Sequence, residues 1–212
     1  MSQIYLISPP QIEVKTFSRH LKKVLATGLI PIFQLRLKNL PVLKLKEIAR
    51  ELKKICYDNN CLFLLNDLFE VALEIEADGV HLGAEDKSIF AAQKDLPENF
   101  LIGASCYDSK ILAVKASDFG ADYLSFGAFF VSKTKKSRGS PAPEILQWCG
   151  KNINLPTVAI GGINNNNCSS LVQNGADFIA VISYVWDHSS GASDAIKKLD
   201  QKIKEALQKP GF

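Results

Sequence analysis

The stretch Ile32-Phe33-Gln34-Leu35-Arg36-Leu37-Lys38 sets an amide, a guanidinium and an ammonium at every second position. A strand sends alternate side chains to one face, so Gln34, Arg36 and Lys38 would share a side, with Phe33, Leu35 and Leu37 opposite. On a half-exposed antiparallel strand, such a polar face simply meets water. On a parallel strand of an α/β protein both faces are normally apolar, and a cationic face there gathers donors for an anion. The rest of the chain decides between the two.

Other groups of complementary kinds follow apolar runs. Asn66-Asp67 ends one run and Gly83-Ala84-Glu85-Asp86 the next. Two carboxylates meeting on one rim suit Mg²⁺, which takes one or two carboxylates and completes its octahedron with phosphate oxygens and water. Taken singly, Asp67 and Asp86 read equally well as caps of the helices that follow. Ser105 ends a further run. The segment 131–140 carries Lys133, Lys135, Lys136 and Arg138 with the hydroxyls of Ser132, Thr134, Ser137 and Ser140. It reads as a lid that closes on an anion or, in isolation, as a solvated basic loop. Gly161-Gly162, followed by Asn164, lets backbone N–H groups approach a ligand closely, and Ser183 after the last apolar run adds a hydroxyl. His81 lies inside an apolar run and reads as a packed interior histidine rather than a general base; His20 and His188 read as surface residues. No Ser/His/Asp or Cys/His arrangement suggests an enzyme nucleophile.

Composition narrows the classes. Among the 212 residues, 47% are hydrophobic and 22% charged, which supports a sizeable core and argues against disorder. A net charge of +3 is too small to imply nucleic acid, so any anion site is local. The five cysteines are scattered, with no CxxC pair and no zinc spacing, and read as reduced thiols of a cytoplasmic protein. The N-terminal residues do not form a signal peptide, and no stretch is long enough to span a membrane.

The elements that must position these groups alternate from end to end. Strands are predicted at 4–7, 30–36, 62–66, 79–82, 100–105, 123–126, 157–160 and 178–182. Helices are predicted at 16–26, 42–57, 68–74, 87–95, 109–117, 143–149, 165–173 and 192–207, with Leu43, Ile48, Leu52 and Ile55 near the helical period. Eight such units in one domain, residues 1–212, predict a small (β/α)₈ TIM barrel; a doubly wound sheet, the alternative, normally has fewer strands. Three segments repeat one plan: Ala77-Asp78-Gly79-Val80-His81-Leu82-Gly83, Ala121-Asp122-Tyr123-Leu124-Ser125-Phe126-Gly127 and Ala176-Asp177-Phe178-Ile179-Ala180-Val181-Ile182 each follow a helix and lead into an apolar strand, with Gly120 and Gly175 at expected helix C-caps. In a barrel, chemistry sits at the C-terminal ends of strands. There Arg36 and Lys38, Asn66-Asp67, Asp86, Ser105, the basic loop, Gly161-Gly162 and Ile182-Ser183 would share one rim.

In this order and spacing the motifs Gln34-x-Arg36-x-Lys38, Leu65-Asn66-Asp67, Ala77-Asp78-Gly79-Val80-His81-Leu82-Gly83 with Glu85-Asp86, Thr134-Lys135-Lys136, Ile160-Gly161-Gly162-Ile163 and Val181-Ile182-Ser183 resemble the thiamine-phosphate synthase family, from Ile4 to about Ala206. The resemblance implies a (β/α)₈ barrel that joins a hydroxymethylpyrimidine diphosphate to a thiazole phosphate with Mg²⁺, releasing pyrophosphate. It implies Asp67 and Asp86 as Mg²⁺ ligands and Arg36, Lys38, Asn66 and Lys135 on the diphosphate. Gln34 and Ser105 would orient the aminopyrimidine, Ser132 and Thr134 would lie near the thiazole phosphate, and Gly162, Ile182 and Ser183 would cradle it. Lys135 and Ser105 are the expected catalytic residues. The implied partners are these small molecules, with neither nucleic acid nor membrane; a homo-oligomer is compatible with it.

The chain departs from the family's pattern at four places. Ser105-Cys106-Tyr107 stands for the common Ser-Ala-His, Gly127-Ala128 for Gly-Pro, Val131-Ser132 for Pro-Thr, and Leu37 for an acidic residue. Two rivals share the barrel: a thiazole tautomerase, which retains the thiazole-phosphate site but little of the diphosphate apparatus, and a non-catalytic barrel that only binds a thiazole phosphate. The presence of Arg36, Lys38, Asp67, Asp86 and Lys135 argues against the first; turnover separates the second.

Overall fold

Each apolar run predicted as a strand is one, and all are parallel. They are β1 (Gln3–Ile7), β2 (Ile32–Leu35), β3 (Leu62–Asn66), β4 (Gly79–Gly83), β5 (Leu101–Tyr107), β6 (Tyr123–Phe126), β7 (Thr157–Ile160) and β8 (Phe178–Val181). A computed structural model describes residues 2–83, 96–131 and 139–208. In it the strands pair in sequence order and β8 closes on β1, with Gln3 opposite Phe178 and Leu6 opposite Val181. The result is the (β/α)₈ barrel. Among the described residues the helices are α1 (Val14–Leu25), α2 (Val42–Tyr57), α3 (Phe69–Glu74), α4 (Lys110–Asp118), α5 (Glu144–Asn152), α6 (Cys168–Gln173), α7 (Ser183–Trp186) and α8 (Ala192–Gln208). The helix predicted at 87–95 lies outside the described residues. No described helix is long and apolar enough to cross a membrane.

The helices form because their apolar residues recur on one face. In α1 the buried positions are Phe17, Leu21, Val24 and Leu25, and the Glu13 carboxylate caps the helix by accepting from the N–H groups of Lys15 and Thr16 at 3.2 and 2.8 Å. In α2 the buried face is Leu45, Ile48, Ala49, Leu52 and Cys56. The near-helical spacing of Leu43 with Ile48, Leu52 and Ile55 predicts Leu43 on this face as well. Leu43 is instead 77% exposed, because Leu45 and Ala49 carry the stripe one step further round. The five cysteines are all buried and unpaired.

The repeated Ala-Asp plan has a structural cause. Before each repeat a residue with positive φ ends the helix: Glu76 at 53°, Gly120 at 84° and Gly175 at 91°. The next N–H then reaches back five residues, as in Ala77 to Ala72, Ala121 to Ala116 and Ala176 to Leu171. The aspartate that follows turns its carboxylate onto the neighbouring strand. Asp78 accepts from Phe63 N–H at 2.7 Å, Asp122 from Ile102 N–H at 2.7 Å and Asp177 from Thr157 N–H at 2.8 Å. Each staples β3 to β4, β5 to β6 or β7 to β8 at the barrel's N-terminal end, satisfying a strand N–H that begins the ladder. The Ala-Asp start of each repeat therefore belongs to the N-terminal end of the barrel, away from the rim that carries the chemistry.

Inside the barrel Tyr5, Ile7, Ile32, Leu64, Tyr123, Val158 and Ala180 pack as one cluster, separate from the larger core between strands and helices. Phe33 and Leu35 face the helices in that outer core, as the alternation of β2 requires.

Candidate functional site

A pocket opens at the C-terminal end of the strands. It is lined by Gln34, Arg36, Lys38, Asn66, Asp67, Ser105, Gly162, Ile182 and Ser183, among others. These are all of the expected site residues that are described. Asp86, Ser132, Thr134 and Lys135 lie outside the described residues.

The strand ends aim these groups. Ser8, buried just past β1, donates its N–H to the Gln34 carbonyl at 3.0 Å, and its Oγ accepts from Arg36 N–H at 2.9 Å. This carries the β1–β2 pairing beyond the end of β2 and turns Arg36 and Lys38 onto the rim. Gln34, 2% exposed, donates from Nε2 to Asn66 Oδ1 at 3.4 Å, which leaves its carbonyl oxygen as an acceptor in the pocket. Asp67 adopts a positive φ of 68°, tolerable for aspartate, and its N–H bonds to the His81 carbonyl at 2.9 Å. Its carboxylate lies 3.9 Å from Lys38 Nζ, with both side chains about half exposed. Helix α3 starts at Phe69 with no side-chain cap, so the cap reading of Asp67 does not describe this rim.

On the opposite side, Gly161 and Gly162 have φ of 105° and 63°. A Cβ on Gly162 would lie 2.4 Å from the Val131 carbonyl oxygen, so only glycine lets the two backbones meet there. Asn167 fixes the turn: its Nδ2 donates to the Gly162 carbonyl at 3.0 Å while its Oδ1 accepts from Asn164 N–H at 2.8 Å. Ser183 begins α7, whose Trp186 Nε1 donates to the Ile7 carbonyl at 2.7 Å and ties this short helix to the end of β1.

Several lining residues were missed by the sequence reading. His81 does sit in the interior, as expected, but at that level the interior is the pocket floor. Its Nδ1 lies 2.9 Å from the Tyr123 hydroxyl and its Nε2 lies 2.9 Å from Ser105 Oγ, with Ser125 Oγ at 3.4 Å. The Tyr123 hydroxyl also meets that of Tyr5 at 2.9 Å. Burial pushes both phenols well above the usual tyrosine range, so both stay protonated. The β5–β6 register shifts between Ser105 and Tyr107, and Tyr107, with φ of 57°, is thereby turned into the pocket. The departures fall around the same rim. Tyr107 and Ala128 line the pocket, Cys106 is buried behind it, Leu37 packs on the outer core and Val131 is fully exposed.

The arrangement gathers cations and an amide on one side, a glycine turn with a hydroxyl on the other, and apolar walls from Ile7, Ile160 and Ile182 between them. It can hold two anionic groups on opposite sides of one pocket. The family model described as thiamine monophosphate synthase matches residues 4–185. The thiamine-phosphate synthase of Pelagibacter ubique is 41% identical over 197 residues, covering 92% of this chain and 95% of that protein. That of Rhodospirillum centenum is 36% identical over 202 residues, covering 95% and 98%. The solved structure of thiamine phosphate pyrophosphorylase from Pyrococcus furiosus superposes with a TM-score of 0.81 at 34% identity, covering 97% of this chain and 96% of that one. The chain belongs to the thiamine monophosphate synthase family.

Proposed function

We propose that this pocket joins a hydroxymethylpyrimidine diphosphate to a thiazole phosphate, forming thiamine phosphate and releasing pyrophosphate in the cytoplasm. The observation that carries this reading is that Gln34, Arg36, Lys38, Asn66 and Asp67 line the same pocket as Gly162, Ile182 and Ser183. A site for the thiazole phosphate alone would not need the first group.

Arg36, Lys38 and Asn66 hold the diphosphate, joined by Lys135 from the basic loop. The carbonyl of Gln34 takes the pyrimidine's amino group and Ser105 meets its ring edge. Gly162, Ile182 and Ser183 cradle the thiazole phosphate, with Ser132 and Thr134 beside it. The C–O bond to the diphosphate breaks first, leaving a pyrimidinylmethyl cation and pyrophosphate; the thiazole nitrogen then attacks the cation and forms the new C–N bond. Such a route needs preorganised positive charge at the leaving group and no enzyme nucleophile. The apolar walls keep water from the cation.

The metal has a fitting donor in Asp67. Its carboxylate is about half exposed, lines the pocket and caps no helix. One or two such carboxylates suit a cation that completes its shell with substrate oxygens and water. Asp67 and Asp86 would hold it. Mg²⁺, when bound there, would neutralise charge on the departing pyrophosphate.

Turnover with both substrates and Mg²⁺, followed by pyrophosphate release and thiamine phosphate formation, tests the reading. Product that requires both substrates is the expected result. Tautomerisation of the thiazole phosphate alone, or binding of it without product, would replace this function by one of the two rivals.

A further inference from the structure

The role of Ser105 at the ring edge depends on where its hydroxyl proton points, and the groups beneath it decide that. Tyr5 is 1% exposed, and among the described residues its hydroxyl has one hydrogen-bond partner, the Tyr123 hydroxyl at 2.9 Å. A phenol has one proton to give. The Tyr5 proton therefore goes to Tyr123. The remaining partner of the Tyr123 hydroxyl among the described residues is His81 Nδ1, also at 2.9 Å, so the Tyr123 proton goes there. A ring nitrogen that accepts carries no proton, and neutral His81 is then protonated on Nε2. From there it donates to Ser105 Oγ at 2.9 Å, with Ser125 Oγ at 3.4 Å as a weaker acceptor. Ser105 accepts within the chain, which leaves its own proton for the pocket. The opposite sense would have Nδ1–H donate to Tyr123 and would strand one buried phenol proton, disfavouring it by roughly tenfold or more. Gly103 makes the path possible, since a Cβ there would lie 2.2 Å from the Tyr123 hydroxyl oxygen.

We propose that Tyr5, Tyr123 and His81 are positioning residues that form a one-way hydrogen-bond chain and make Ser105 an obligate donor to the substrate. The site then takes a ring edge that presents an acceptor nitrogen at Ser105 and discriminates against one that presents N–H or C–H. This rests on the reading of Ser105 as a substrate contact.

The first test needs no substrate. In ligand-free protein labelled with ¹⁵N-histidine, with His81 assigned through His81→Gln, side-chain NMR is expected to show Nε2 protonated and Nδ1 bare; a protonated Nδ1 overturns the chain. The second is a double-mutant cycle. Tyr123→Phe is expected to lower kcat/KM for the pyrimidine diphosphate by about tenfold, leave the KM for the thiazole phosphate unchanged, and have less than about a twofold effect in a Ser105→Ala background. An equal loss in both backgrounds overturns the positioning role. Where Tyr123→Phe does not fold, Tyr5→Phe/Tyr123→Phe removes both hydroxyls, strands neither and interrupts the same chain. If the unmodified protein fails to turn over the two substrates, the proposed function falls, and the His81 tautomer still decides the chain.

Discussion

Gly103→Ala probes the interior on which the pocket floor rests. The residue lies on β5, where the Tyr123 ring crosses the barrel. A Cβ built there would lie 2.0 Å from Cζ, 2.2 Å from the hydroxyl oxygen and 2.5 Å from Cε1 of Tyr123. No side chain sustains such distances, so the ring must leave its position. It has little room, being 5% exposed and bonded through its hydroxyl to Tyr5 and His81. Overpacking costs about 1–3 kcal/mol, and the two hydrogen bonds that fail add about 0.5–1.5 kcal/mol each. The total is about 2–6 kcal/mol, a large part of the roughly 5–15 kcal/mol that holds a folded domain together. At about 2–4 °C per kcal/mol for a chain of this length, the melting temperature should fall by roughly 4–24 °C. Urea unfolding and calorimetry measure it, with Gly150→Ala as the control. Gly150 lies in α5 with nothing within 4 Å of a built Cβ, and alanine there should stabilise by up to about 1 kcal/mol. A loss below about 1 kcal/mol for Gly103→Ala would refute the reasoning.

Five further outcomes are expected. Asp67→Asn and Asp86→Asn should each slow turnover strongly with the fold intact, because an amide cannot supply a carboxylate's charge to Mg²⁺; unchanged rates for both at saturating Mg²⁺ would remove them from the metal site. Lys135→Ala should chiefly lower kcat, by ~10²-fold or more, since leaving-group charge grows in the transition state. Ser183→Ala should chiefly raise the KM for the thiazole phosphate, by roughly tenfold; steady-state kinetics with each substrate varied would expose the reverse pattern. Asp177→Ala strips the Thr157 N–H and hydroxyl of their carboxylate at the far end of the barrel, and should cost about 1–3 kcal/mol in urea unfolding without altering kcat. Burial raises the Asp122 carboxyl above its ordinary range, against the lowering effect of the Ile102 N–H. The folded protein then holds that proton more tightly than the unfolded chain. Its contribution to stability is complete below the unfolded value and is lost as pH rises through the folded one. The stability of Asp122→Asn relative to the parent should therefore grow as pH rises through the carboxylate range, and a constant difference would count against it.

Much of the rim was legible because parallel strands leave little freedom. The ranges predicted at 62–66, 123–126 and 157–160 match β3, β6 and β7 residue for residue. Each is a short apolar run with turn residues before it. Polar side chains at strand ends had few roles other than binding, so Gln34, Arg36, Asn66, Ser105 and Ser183 could be grouped before any contact was known. The fit was poorer where local patterns carry less information. The β5 bulge at Cys106 adds a residue without changing periodicity, and the range predicted as 100–105 gave no sign that Tyr107 would turn inward. The four residues of α7 are too few for a helical period to register.

The sequence by itself determined the alternation of strands and helices, the grouping of Gln34 with the cations that follow β2, and the order of groups along the rim. These follow from spacing within a few residues, where sterics and burial act locally. Only the tertiary structure decided what those groups rest on. Tyr5 and Tyr123 are 118 positions apart, Tyr123 and His81 42, and Trp186 and Ile7 179. Their pairing depends on the stagger with which eight strands close into a barrel. A slip of one residue in β4 or β6 would turn His81 or Tyr123 from the interior to the helices, because side chains alternate with a period of two. No short-range pattern encodes that stagger, so the polar chain under Ser105 came into view only with the closed barrel.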